Sequence, residues 1–453
     1  MGNLLTSLLN SANALDVYNQ GLTTTENNIL NANTPGYANQ TQTFLALPFD
    51  PSVGLPGGVG AGPIQSSRDA YAEQAVQAQQ SGLGASQQQS SDLNNVQNLF
   101  SLTSNTSVNS SLNTLFQGFS ALSINPNDPA TRQTVLNDAQ QVAQAFNDVG
   151  NGLESAIGQI GQEATSTVAS INQLTAKIAQ LNQQRMSNNN GVDAGADAAM
   201  YADLEQLSQY ANFTALQQTD GSISVYLGGQ TPVVIGNQSY SIQANTSLPQ
   251  LQILSAQGND ITSQITGGQL NGEITVRNNQ IPSYLSSINT LAQSVADQIN
   301  TTLAQGLDQN GNSPVNNLFT YDATTGAAQT LAVNPLMTTD QIAAALPGAA
   351  GGNGNALNLA ALANVTNTNG DTFTQAYAAL VAQVGGDIST ANTNVTTDQQ
   401  LLTQAQTART NISGVSLNEQ AAALIQFQRS YQAAAKMITV LDDITNTVLS
   451  ILP

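Results

Sequence analysis

The stretch SGVSLNEQAAALIQFQRSYQAAAKMITVLDDITNTVLSIL, from Ser413 to Leu452, decides how this chain folds. Leu424, Tyr431, Ile438 and Thr445 recur every seven residues, and Phe427, Ala434, Leu441 and Val448 form the companion row. Two rows at that spacing make a helix with a narrow apolar seam, the coiled-coil template, with one polar lapse at Thr445. Ser416 and Glu419 have capping-box spacing just ahead of the run, so the helix starts there. A helix that buries only a stripe needs a partner.

The partner lies at the other end of the sequence. Leu8, Leu15, Leu22 and Ile29 recur every seven residues, with Leu4 and Tyr18 on the companion row and Ser11 and Thr25 interrupting it. This helix should stop near Asn33, because Pro35 disfavours a helical residue before it and Gly36 permits a turn. The economical arrangement pairs the two terminal helices as a coiled coil. An apolar stripe in a helix is most often plain core. These two occupy stretches that are usually frayed or polar, which favours an interaction role.

More helices lie between. Asp128 and Pro129 make an N-cap and first turn, followed at helical spacing by Val135, Leu136, Val142, Phe146 and Val149. A second pattern runs from Leu153 through Ile160, Val168, Ile171 and Ile178 to Leu181, ending in the polar stretch around Asn188 to Gly195. A third spans Leu285 to Leu303, and a fourth Thr372 to Thr410. Between Phe213 and Ile274 the pattern changes to β-branched and aromatic residues broken by Gly, Asn and Pro. Ile223, Val225 and Leu227 alternate with polar residues after the Asp220–Gly221 turn signal, so a small β unit is inserted here. Residues 305–370 are rich in Gly, Asn, Ala and Thr and give mixed signals. The expected fold is mainly α and elongated: paired terminal helices, a central long-helix bundle and a small inserted β domain.

Composition narrows the function classes. The chain has 453 residues, 40% of them hydrophobic, enough for real cores. Only 8% are charged, against about 25% in a typical protein. The formal net charge is −20 with 8 basic residues. Nucleic-acid binding needs Lys and Arg to displace condensed counterions, and docking on an anionic membrane needs them too. Neither nucleic acid nor membrane insertion is expected. Cys, His and Trp are absent, which removes disulfides and Cys/His metal sites. No Lys or Arg precedes Arg68, and the early leucines are spaced, so the N-terminal stretch does not read as a cleaved secretory signal.

Fragments that resemble chemistry read better as structure. Asp308, Asn310 and Asn312 imitate a calcium loop, but its sixth position is Ser313 and its twelfth Phe319, where Gly and Glu are needed. A polar turn fits them. Gly348 to Gly354 lacks the Lys–Ser/Thr of a phosphate loop and reads as a flexible loop. Asp442 and Asp443 flank the seam residue Leu441 and read as a solvated face. With no His or Cys, nucleophilic catalysis has little to work with. No catalytic residue, metal or cofactor is expected, and the chain reads as no enzyme.

Asn27 to Gln40, NNILNANTPGYANQ, carries Asn31, Asn33, Thr34, Pro35, Gly36 and Tyr37. This segment resembles the N-terminal signature of the flagellar rod, hook and hook-associated axial proteins, and Ser413 to Leu452 resembles their C-terminal signature. The interior segments FQGFSALSINPNDPATRQTVLNDAQQVAQAFN, DGSISVYLGGQ and GGQLNGEITVRNNQIPSYLSSINTLAQSVADQIN are similar to the hook-associated members at the hook–filament junction. Many relatives carry a basic residue shortly after the Gly-Tyr, where this chain has Asn39.

The resemblance implies an extracellular, self-assembling part of the bacterial flagellum. Such a protein is secreted by the flagellar type III route without a cleaved signal peptide. It forms a homo-oligomeric tubular ring and contacts the hook protein, a second junction protein and an export chaperone. The implied division is an inner layer from 1–70 and 411–453. Its core comes from 71–210 and 276–410, with the irregular stretch 305–370 inside the second part, and its outer β domain from 211–275. A hook protein or another axial component is the second reading, and a secreted adhesin-like surface protein the third.

Overall fold

The computed structural model describes residues 2–50, 55–102, 104–187, 193–366 and 370–451. In chain order its helices are α1 (Gly2–Leu30), α2 (Ala70–Gln97), α3 (Val108–Ile124), α4 (Pro129–Ser187), α5 (Ala194–Tyr210), α6 (Gln269–Thr275), α7 (Ile281–Ala304), α8 (Ala327–Thr330), α9 (Gly354–Ala361), α10 (Phe373–Ser413) and α11 (Leu417–Ile451). The strands are β1 (Gln40–Ala46), β2 (Phe49–Asp50), β3 (Leu55–Pro56), β4 (Val59–Ser66), β5 (Phe213–Gln217), β6 (Ile223–Leu227), β7 (Thr231–Ile235), β8 (Gln238–Ser239), β9 (Gln243–Asn245), β10 (Gln252–Leu254), β11 (Phe319–Thr320) and β12 (Ala332–Val333). The molecule is mainly helical with a few small sheets, and its terminal helices pair, as the heptads predict.

The two interior patterns beginning at Asp128 and Leu153 are one helix. Asp128 starts it by accepting hydrogen bonds from the Thr131 amide and hydroxyl at 3.0 and 2.7 Å, which also hold its carboxyl below the usual range. The 59-residue α4 then runs about 90 Å at roughly 1.5 Å per residue. Gly150 and Gly152 separate the two patterns in sequence without breaking the helix. A side chain at Gly150 would press on Gln329, and one at Gly152 on Leu99, so these glycines mark close approach. The polar stretch expected to end this helix falls partly outside the described residues, at 188–192.

α4 passes through two apolar cores. Its first half packs Val135, Val142, Phe146 and Leu153 with α3, α7, α9 and the start of α10. Its second half packs Val168, Ile171 and Ile178 with α5 and the strands β5–β10. Those strands include an antiparallel sheet in the order β5-β6-β7-β8, with the predicted turn at Gly221, whose φ is +84°. The stretch read as β up to Ile274 turns helical at Gln269, where Leu270 and Ile274 reach the same core at helical spacing. Within 305–370, Leu318, Phe319, Leu331, Ile342 and Leu359 complete the first core. Their apolar side chains are scattered among Gly and Asn, so no period betrays them. Asp308 closes a turn there, accepting from the Asn310 and Asn312 amides at 2.8 Å each.

α2 and α10 form an antiparallel stalk, with Ser90 bonded to Asn392 and the Asp69 amide to Ser413. Thr372 and Gln375 make a full capping box at the start of α10. The stalk carries the terminal module, in which a bulged hairpin of β1 and β4 lies along α1.

Candidate assembly surface

α1 and α11 run antiparallel. Gly21 faces Phe427 so closely that a Cβ there would sit 3.2 Å from the ring. Asn28, a little further along α1, donates to Gln420 at 2.9 Å. Phe427 also meets Phe44 of the hairpin at 5.6 Å between ring centroids, and Phe44 meets Tyr18 at 6.3 Å. One aromatic cluster thus joins α1, β1 and α11.

A polar cluster locks the base of the pair. Asn28 accepts from the Tyr37 hydroxyl at 2.8 Å and the Gln40 amide at 2.9 Å, and donates to the Gln40 carbonyl at 2.7 Å. Gln420 donates to Asn39 at 3.2 Å, and the Asn39 amide reaches the Ser413 carbonyl at 2.9 Å. Burial raises the pKa of Tyr37, so its hydroxyl stays a donor. Asn31 donates to Asn27, and Thr34 to Asn31, at 3.0 Å each. Asn33, Thr34 and Pro35 are exposed at the turn. Gly36 has φ +73° against α5, and a side chain there would collide with the Ala198 carbonyl.

Arg68 secures that turn. Its guanidinium donates to the Gly36 carbonyl at 2.6 Å, pairs with Glu73 and with Asp197 at 2.9 Å, and stacks 3.8 Å over the Tyr201 ring. Arg185 reaches Asp197 at 2.7 Å, and Arg409 bridges Glu73 and Glu205 at 3.2 and 2.7 Å. Burial opposes the charge on Arg409, but Glu205 and Glu73 outweigh it and hold its pKa above the ordinary arginine value. Three arginines and three carboxylates thus tie the family-like turn to α2, α4, α5 and α10, in a chain with only 8 basic residues.

The predicted seam residues divide. On α11, Leu424, Phe427, Ala434, Ile438, Leu441 and Val448 are all half-buried, while Tyr431 is 39% exposed. On α1, Leu8, Leu15, Leu22 and Ile29 are half-buried, and the deepest line is instead Val17, Gly21, Thr24, Thr25 and Asn28. Small and polar side chains therefore occupy the closest approach, and the leucine row flanks it. Sequence reading missed Gly21, Asn28, Gln420 and the arginine cluster. One signal for the cluster was present: Arg68 is the first basic residue of the chain.

A second set of apolar side chains in this module has no cover. Leu5 is 61% exposed, Leu9 55% and Met437 57%, and Val440, Ile444 and Leu449 are exposed with them. The register set by Gly21–Phe427 and Asn28–Gln420, carried on, levels Leu5 and Leu9 with the stretch from Met437 to Ile444. These residues lie toward the free end of the pair, while Leu30, Leu417 and Ile425 are exposed nearer its base. Asp442 and Asp443 are exposed at the free end too. Among the described residues, no group of three or more Asp or Glu side chains could hold a metal ion. No helix there is long and apolar enough to cross a membrane.

A half-covered terminal helix pair on a long helical stalk suits a subunit that completes its packing against other chains. The flagellar hook-associated protein FlgK helical domain matches residues 93–319, and the flagellar basal body rod FlgEFG protein C-terminal region matches residues 406–451. The chain belongs to the flagellar hook-associated protein FlgK family, a family of flagellar structural proteins. Flagellar hook-associated protein 1 of Bacillus subtilis is 25% identical, over 96% of this chain and 96% of its own length. Flagellar hook-associated protein 1 of Salmonella typhimurium is 25% identical, over 99% of this chain and all of its own length. The flagellar hook junction protein FlgK of Burkholderia pseudomallei shares the fold, with a TM-score of 0.67 at 17% identity over 75% of this chain and 100% of that one.

Proposed function

We propose that this chain is a subunit of the hook–filament junction that polymerises into a tubular ring at the hook tip. The uncovered apolar end of the α1–α11 pair carries this reading. Exposed leucines scattered singly are ordinary on any surface. Leu5, Leu9, Met437, Val440 and Ile444 are gathered in one small module, which suits a face that neighbouring copies cover. Contacts of that kind run head to tail around a tube, so assembly continues until another component caps it. In this division 1–70 and 411–453 make the inner layer, 71–210 and 276–410 the core, and 211–275 the outer part. The hook protein adjoins the ring on one side and a second junction protein on the other. An export chaperone accompanies the subunit before it leaves by the flagellar type III route without a cleaved signal.

The relatives named flagellar hook-associated protein 1 support this placing over the other axial positions. Electron microscopy of cells lacking the chain tests it. Hooks should remain, filaments should be missing, and filament protein should collect in the medium. Normal filaments would overturn the proposal, and missing hooks would favour the hook protein or another axial component.

A further inference from the structure

Away from the terminal module, α2, α4 and α6 meet at a cleft of about 560 Å³ lined by Gln88, Glu163, Thr167, Tyr210 and Glu273. Asp92 of α2 is 2% exposed and Glu273 of α6 is 1% exposed. Gln88 donates to Asp92 at 2.8 Å and to Glu163 of α4 at 3.1 Å, and Thr167 of α4 donates to Glu273 at 2.7 Å. Each buried carboxyl keeps one oxygen, Oδ2 of Asp92 and Oε2 of Glu273, without a hydrogen-bond partner. A buried anion with a free oxygen is costly unless a cation or a donor meets it.

No cation does. Arg277 lies one turn beyond Glu273, in a π turn over Val276–Gln280, but it points its Nε at the Ile157 carbonyl and its Nη2 at the Thr246 carbonyl, 3.2 and 3.3 Å away. Burial pulls its pKa below the ordinary arginine value, with the Glu154 charge opposing. Tyr210 is the remaining titratable group on the lining. The carboxylates do not converge as metal ligands either. The occupant that fits is the proton. A proton on Asp92 turns its carboxyl into a donor toward the facing Glu163, and a proton on Glu273 removes the like charge between α6 and its neighbours.

We propose that Asp92, Glu163 and Glu273 form a proton-operated joint, tight when protonated and loosened when ionised, between α2, α4 and α6. Burial pushes Asp92 up to about 7, with the Glu163 charge adding and the Gln88 bond opposing. Burial likewise pushes Glu273 up to about 8, against the Thr167 bond and with the Asp92 and Glu163 charges adding. Both carboxyls hold a proton more tightly folded than unfolded. Their contribution to stability is complete below about pH 4 and is lost as pH rises through about 7 and about 8. The joint sits where the stalk meets the second core, so a rise in pH frees α6 and the strands beside it from α2. This inference does not depend on the junction reading.

Thermal melting of the full chain tests it. Between about pH 5.5 and about pH 8.5 the wild type should lose about 5 °C or more. The double variant Asp92→Asn with Glu273→Gln should lose less than half of that and melt above the wild type at the alkaline end. An unchanged pH slope in that variant would overturn the proposal. Should the double variant fail to fold, Glu163→Gln provides the second reading, because Glu163 is exposed and tolerates the change. Its slope should be shallower than the wild-type slope, and an equal slope would overturn the proposal as firmly.

Discussion

α4 and α11 are both long helices with apolar residues at helical spacing, yet they bury very different amounts. Val135, Val142, Phe146, Leu153, Ile171 and Ile178 of α4 are completely enclosed. No seam residue of α11 is fully buried, and its outer face presents Met437, Val440 and Ile444 to solvent. Periodicity therefore tells which face of a helix seeks a partner. How much partner the folded subunit supplies is a separate matter. α4 finds its full complement within the chain, and α11 finds one helix and a hairpin. The difference separates a helix that the subunit encloses from a pair that it leaves partly open.

Substitutions should expose that difference. The largest effect on the isolated subunit belongs to α4: Phe146→Ala should lower unfolding free energy by about 3–5 kcal/mol in denaturant titration, because the cavity is closed on all sides. A loss under about 1 kcal/mol would mean that this core is loosely packed. Next comes the arginine cluster joining the two regions. Arg68→Ala leaves Glu73 and Asp197 with buried charge that Arg409 and Arg185 only partly balance, and should cost about 3 kcal/mol. Hydrogen exchange should localise that loss to the turn at Gly36 and the start of α2, and uniform exchange across the chain would count against a local clamp. Limited proteolysis should then cut within α1 and α11 before it reaches residues 130–180, since few enclosed contacts hold the terminal pair. Equal protection of both regions would erase the comparison. Asp442→Asn is the smallest change and should stay within about 0.5 kcal/mol of the wild type.

Much of this was legible in the sequence, and the misses have physical causes. The α11 seam could be read because its two rows keep the heptad spacing over the whole helix. On α1 the same rule picked out the leucine row, but the pair closes on Gly21, Thr25 and Asn28. A glycine admits the Phe427 ring and an asparagine satisfies buried backbone groups, and neither carries a hydrophobic signal. The patterns ending at Val149 and starting at Leu153 read as separate, whereas Gly150 and Gly152 between them let Gln329 and Leu99 approach an unbroken helix. The β1–β4 hairpin was hidden because its register shifts between Gln42 and Phe44, which spoils strict alternation. The arginine cluster joins residues from Gly36 to Arg409, and nothing local in sequence links such distant partners.

If neighbouring copies cover the open face of the terminal pair, a charge placed on that face should block attachment. Cells lacking the chain, supplied with Met437→Asp, Ile438→Asp or the control Asp442→Asn, give the most direct measurement: the ratio of cell-attached to secreted protein. Both aspartate variants should reach the medium with their central helices folded and fail to attach, because a carboxylate buried unpaired at the contact must either stay charged at high cost or take up a proton. The control should attach like the wild type. If Met437→Asp and Ile438→Asp attach as well as the control, the terminal pair is not the assembly surface.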